Sequence, residues 1–319
     1  MNTGLSKVYL AAEKFSRVAI AACALVCGAL AIFGVTIPLD AQIVGALIAL
    51  AIGIPHGAID HLITLPSRPR ARFIAFIIGY VAIALLSGLV IAHWNLVGFQ
   101  VVLVMSSLHF GFGDASYENE WQEWAGQKKF TVLTVCAYAL PSGFLPVVLP
   151  LTDHRALSAL HRIHSGLNQW AGSENHLLRV LVVLLAICGL IVLVFSKAYR
   201  LEVDLVLIAL LSLIAPPLLC FAFYFGCWHA IRHIARLVPK LDSARRAAIA
   251  GDIAAAYRGA VLPGLYAVAG TLVAAAALMI CDSHQFGSGL LWSTLVIVWA
   301  LTVPHMLTTA RLDRNALNI

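Results

Sequence analysis

Continuous apolar runs, each close to the ~20 helical residues that cross a bilayer core, recur along the whole of this 319-residue chain. They close off most folds. Transmembrane β-barrels show short segments of alternating polarity instead. Soluble domains are nearer half apolar and a quarter charged. Here hydrophobic residues make up 61%, charged residues 11%, and the mean hydropathy is +0.91. No hydrophilic stretch approaches the ~50 residues of the smallest domains. The expectation is an all-α, polytopic integral membrane helical bundle. It forms a single membrane domain over residues 1–319 with about ten transmembrane helices, eight to ten being the range.

The spans are expected at about 17–36, 42–63, 73–92, 97–113, 130–149, 177–196, 201–214, 217–236, 261–281 and 289–310. The segment 201–236 is too long for one crossing, and Ala215-Pro216-Pro217 divides it. Each proline removes a backbone donor and disfavours helix at the residue before it. The amphipathic stretch 153–171 is expected at the interface, and 242–258 as a surface helix. Lys7, Lys14 and Arg17 precede the first apolar run as in a signal peptide. That run is long and lacks a clear small-x-small cleavage site, so it is expected to stay as the first helix.

With the N-terminus inside, 17 of the 21 Lys and Arg residues fall on the cytoplasmic side; Arg155, Arg162 and Arg179 fall outside, and Arg232 within a span. From this bias both termini are expected in the cytoplasm, and the chain is expected in the inner cell membrane as a multi-pass protein. The bias also accounts for the net charge of +6 and pI near 9.0. No basic cluster accompanies a nucleic-acid-binding motif, so no nucleic-acid partner is expected. The seven cysteines are scattered, mostly within apolar runs, and no CxxC occurs. They are expected as small packing residues.

Ionisable groups inside spans are expensive and point to function. Four clusters stand out: "PHGAIDH" with His56, Asp60 and His61; "SSLHFGFGDA" with His109 and Asp114; "FGCWHAIRH" with His229, Arg232 and His233; and "LTVPHM" with His305. All lie on even-numbered spans near the cytoplasmic end. His56 stands about 7 residues from its span end, His109 about 4, His229 about 7 and His305 about 5, which at ~1.5 Å per residue is one depth within ~5 Å. Histidines that merely bonded to neighbouring helices would not be so levelled.

Spacing narrows the set. His229 and His233 are i, i+4, so both rings share a helix face and can bind one metal. His56 and Asp60 are also i, i+4, so Asp60 is expected to accept the second ring N–H of His56. His61 lies roughly 140° round the helix from His56 and is expected to point elsewhere. The simplest constellation is His56, His109, His229 and His233 around one ion. Asp60, Asp114 and His305 are expected in the surrounding shell or pocket wall. His93, His154, His161, His164, His176 and His284 fall in outer loops or at span ends. The aromatic run from Phe221 to Trp228 is expected mainly to pack. Gly53, Gly57, Gly111 and Gly113 allow close helix approach or leave room for a ligand. Pro55 frees a backbone carbonyl one turn earlier, near the site.

Imidazole suits zinc, copper, iron and nickel alike. Four neutral ligands on part of an octahedron would leave two positions open, which suits Fe(II) activating O2. Cys227 is about 200° from His229 on a helix, a poor angle for a co-ligand. A site among helices inside the bilayer favours an apolar substrate that enters from lipid.

The stretches "GIPHGAIDHL", "LHFGFGDA", "APPLLCFAFYFGCWHAIRH" and "LTVPHM" resemble, in the same order, those of the Brp/Blh family of membrane β-carotene 15,15′-dioxygenases. These are bacterial and archaeal enzymes that supply retinal to rhodopsins. The resemblance runs from about residue 50 to 310. It implies an Fe(II) site on His56, His109, His229 and His233. It implies O2-dependent cleavage of the central double bond of β-carotene to two retinals, with a rhodopsin as downstream user. Among rivals, di-iron desaturases use about eight histidines in boxes such as HxxHH, and this chain has one HxxxH and no HxxHH. Another membrane metal-dependent lipid oxidase or hydroxylase, a b-haem carrier and a transporter with a polar intramembrane site would also place histidines within spans. A transport site should be reachable from both sides, whereas these groups gather in one half.

Overall fold

The computed structural model describes residues 3–60, 62, 70–172, 175–281 and 286–317, and all regular structure among them is helical. His61, Arg68 and His284 lie outside the described residues, so the expected orientation of His61 has no structural counterpart. The helices are α1 (Thr3–Ile32), α2 (Leu39–Ala58), α3 (Arg70–His93), α4 (Asn95–Trp124), α5 (Val132–Val148), α6 (His154–Ile163) and α7 (Asn175–Phe195). They continue with α8 (Tyr199–Ile214), α9 (Pro217–Ala222), a π-helical segment (Phe223–His229), α10 (Ala230–Leu237), α11 (Asp242–Ile249), α12 (Ile253–Val261), α13 (Leu265–Cys281) and α14 (Phe286–Leu317).

Nine helical stretches among the described residues are long and apolar enough to cross a membrane. The helix α8, at 16 residues, falls short of that length. The break before α9 follows the proline rule: Ala215 is extended (φ −75°, ψ 144°), Pro216 is also non-helical, and Pro217 opens the next helix. Proline suits that first position because its missing N–H would be unpaired there anyway. The expected single surface helix over 242–258 is instead two. Gly251 takes φ +85°, a conformation that glycine adopts without strain. Asp252 then caps α12 by accepting from the Ala255 N–H at 2.9 Å. From there the chain runs on as one long apolar stretch, Ile253–Leu278.

Large aliphatic side chains on α1, α3, α7 and α13 stay exposed, as lipid-facing positions must. The interior is built on α2, α4, α5, the π segment and α10. The tightest pair is α4 with α5. A Cβ on Gly111 would overlap the carbonyl of Ala139, and one on Gly143 the carbonyl of Ser107. Two glycines facing opposite backbones thus set the helix spacing, the small-residue packing that membrane helices favour.

Below the histidines lies a buried ion-pair network. Arg232, fully buried, donates to Asp204 at 2.7 Å, to Glu118 at 3.4 Å and to Ser16 at 3.0 Å. Its guanidinium sits 3.5 Å over the Trp228 ring. Arg200 pairs with Glu13 and Glu118, and Arg17 with Glu13 and Asp204. Three arginines therefore meet three carboxylates across α1, α4, α8 and α10. Beside it Arg236 joins Glu120 and Asp313. Arg232, an intramembrane charge by sequence, thus belongs to the framework that pins α1 and α8 to the site helices.

Candidate metal centre

Five histidines converge: His56 near the end of α2, His109 on α4, His229 closing the π segment, His233 on α10 and His305 on α14. All are at most 6% exposed. Their ring centroids approach to 5.0–6.0 Å, with His56 close to His229, His233 and His305, and His109 close to His229 and His305. Ligand atoms of His56, His109 and His305 lie within 4.8 Å of one another. The structure thus gathers His56, His109, His229 and His233, and it puts His305 among them rather than behind them.

The second ring nitrogens explain the orientation. His56 Nδ1 faces the Gly53 carbonyl, so that nitrogen carries the proton and Nε2 offers its lone pair. His229 Nδ1 donates to Asp114 Oδ1 at 3.1 Å, and His305 Nδ1 donates to the Asp60 carboxylate at 2.9 Å. A carboxylate or carbonyl on the distal nitrogen is how metal-binding histidines are held. On the inner side, Nε2 of His109, His229 and His305 and both ring nitrogens of His233 are buried without a hydrogen-bond partner. Buried polar atoms rarely stay unpaired. Converging imidazole lone pairs in an apolar interior have the chemistry of a divalent-metal site.

One expectation changes here. Asp60 does not serve His56; it serves His305. The reason is local: α2 ends at Ala58, Ile59 turns to φ −102°, ψ 11°, and Asp60 swings off the face that carries His56. His56 Nδ1 instead takes the Gly53 carbonyl. Asp114 does stand where a ligand-orienting carboxylate was expected.

Other residues complete the site unannounced by spacing. Tyr224 and Trp228 each donate to Asp114 Oδ2 at 2.9 Å. The aromatic run therefore does more than pack, and the available signal was chemical: a buried Tyr O–H or Trp N–H needs a partner. The π-helical segment carries them, a distortion concentrated at functional sites. Tyr80 of α3 donates to Asp60 at 3.1 Å. All four glycines singled out face a close neighbour, and at Gly53, Gly111 and Gly113 a Cβ would crowd it. The ring of Phe225 lies against Gly53, that of His305 against Gly57, and that of His229 against Gly113, while Gly111 meets α5.

A cavity of about 290 Å³ lies against His56, His109 and His305. Its walls are Ile54, Gly57 and Ala58 of α2, Phe76, Ile77, Tyr80 and Val81 of α3, Ala267 of α13 and Val298, Leu301 and Thr302 of α14, with Phe110 and Phe225. Ile77 is 36% and Val81 49% exposed on the lipid-facing helix α3, so the cavity wall reaches the bilayer side of the molecule.

The family model described as β-carotene 15,15′-dioxygenase matches residues 47–313. That stretch holds all five converging histidines. The chain is 25% identical over 269 residues to the β-carotene 15,15′-dioxygenase of uncultured marine bacterium 66A03, covering 80% of this chain and 88% of that protein. No solved structure matches. With its family model matched over most of its length, the chain belongs to the β-carotene 15,15′-dioxygenase family.

Proposed function

We propose that the chain cleaves the central 15,15′ double bond of β-carotene with O2, giving two molecules of all-trans-retinal, at an Fe(II) held by His56, His109, His229 and His233. His305 borders the same ion, steadied by Asp60 and Tyr80. The observation that carries this is the convergence of unpaired imidazole nitrogens beside an apolar cavity that reaches a lipid-facing helix. We place the site in the cytoplasmic half of an inner membrane, a reading whose orientation the charge bias supports. A rhodopsin is the natural consumer of the retinal.

Iron, when bound, supplies the redox chemistry that lets ground-state O2 react with a polyene. The chain's own residues do the rest. Apolar walls draw the substrate from lipid and exclude water from the cleavage point. Asp114 and Asp60 keep the histidine tautomers that turn lone pairs inward. In the overall change, one C=C and one O2 become two C=O groups, so atoms balance with no proton gained or lost. The buried carboxylates are accordingly engaged as hydrogen-bond acceptors rather than poised as an acid and a base.

The test is expression in cells that accumulate β-carotene. The unaltered protein turns orange cells pale and yields retinal; His229→Ala leaves them orange. Purified apoprotein regains activity with Fe(II) and not with Zn(II). Retained colour with well-expressed, iron-loaded protein overturns the proposal.

A further inference from the structure

His305 has both halves of what holds a histidine on a metal. Its Nδ1 donates to the Asp60 carboxylate, 3.0 Å from one oxygen and 2.9 Å from the other. Asp60 is held in turn by the Tyr80 hydroxyl at 3.1 Å. That bond fixes the tautomer and leaves the ring's lone pair on Nε2. Nε2 is buried and has no hydrogen-bond partner. Asp114 holds His229 in the same way, so the centre has two carboxylate–histidine pairs, one from the π segment and one from α14. His233 is less constrained, since neither of its ring nitrogens has a partner.

Position agrees with this chemistry. The His305 ring centroid lies 5.0 Å from that of His109, 5.3 Å from His56 and 5.6 Å from His233. Among the described residues, one group of three possible ligands brings its donor atoms within 4.8 Å of one another, and it is His56, His109 and His305. A place in the cavity wall does not account for the free Nε2. A polyene has no N–H or O–H to offer that lone pair, and a buried acceptor left unpaired is costly. A divalent ion accepts it.

We infer that His305 is a fifth histidine ligand of the same ion, positioned by Asp60. This rests on the metal site of the proposed function and adds a ligand to its four. On a six-coordinate ion, five imidazoles leave one open position where four leave two. One position admits O2 and leaves none for the polyene, which is then held by its apolar walls alone. The ion also ties α14 to α2, α4 and α10.

The test reads metal binding in the purified full-length chain in detergent, without turnover. His305→Ala lowers Fe(II) affinity, measured by anaerobic chelator competition, by at least the ~10- to 100-fold that loss of a ligand's orienting partner costs. The thermal midpoint of its metal-free form stays near that of the unaltered protein, and the rise on adding Fe(II) shrinks. The visible bands of the Co(II)-loaded protein change in His305→Ala, and added imidazole restores them. Leu301→Ala opens the same cavity wall one turn away and keeps the affinity and the bands. Unaltered affinity and Co(II) bands in His305→Ala overturn the inference, whether or not its stability falls. Should His305→Ala fail to fold, X-ray absorption at the iron edge of the unaltered protein decides: five imidazoles support the inference and four overturn it. A protein that holds its ion with five histidines yet makes no retinal fails the proposed reaction alone; one that binds no divalent metal overturns both.

Discussion

Asp114→Asn isolates what a buried carboxylate does for a neighbouring histidine. Asp114 is 1% exposed and accepts three hydrogen bonds, from Tyr224, Trp228 and His229. An amide keeps the shape but replaces one acceptor oxygen with a donor NH2. If the NH2 turns toward Oδ2's partners, the Trp228 N–H, which can only donate, loses its acceptor. A buried donor so orphaned costs about 1–3 kcal/mol. If it turns toward His229, the ring must move its proton to Nε2, and the inward lone pair is lost. Either way the metal-ready state is disfavoured by about 1–3 kcal/mol, which is a ~5- to 150-fold loss of iron affinity at 1.4 kcal/mol per decade. That agrees with the ~10- to 100-fold typical of residues that orient metal ligands. The assay is iron retained per protein across a chelator series, beside the thermal midpoint in detergent. Folded Asp114→Asn with undiminished iron affinity would refute the orienting role.

Other expectations can be checked in the same preparations. Tyr80→Phe removes one of the donors on Asp60 and leaves His305 in place; activity should stay within a fewfold, whereas Asp60→Ala should lower iron retention. Arg232→Ala strands Asp204 and Glu118 in the interior. It should destabilise the fold by about 3–5 kcal/mol, seen as poor yield or a lowered midpoint, and a wild-type midpoint would contradict the network. Gly111→Leu drives a side chain into the Ala139 carbonyl. Overpacking of this kind costs about 1–3 kcal/mol or more, so α4 and α5 should separate and iron loading should fall with stability.

Much of the architecture was written in one-dimensional pattern. Runs of bilayer length force helices, because backbone groups in lipid must pair within their own segment. The double proline at 216–217 had to break its segment, since it removes donors wherever it sits. The histidines could be ranked by depth because distance along a helix converts directly into depth. The surface stretch 242–258 resisted, because a single glycine at φ +85° divides a pattern that composition leaves continuous.

Sequence by itself determined a helical membrane bundle with histidines at one level, because hydropathy and helical rise act locally. It assigned Asp60 to His56 by assuming the helix runs on, and it ranked His305 outside the first four histidines. Which carboxylate serves which ring was decided by tertiary structure. The chain turns at Ile59, and Asp60 meets α14 instead. The same is true of Tyr224 and Trp228, which find Asp114 more than a hundred residues away, and of the cavity beside the histidines, which exists only where four or more helices meet. Rotation about a helix axis and the choice of neighbour are set by packing between segments, and that information lies in no single run of residues.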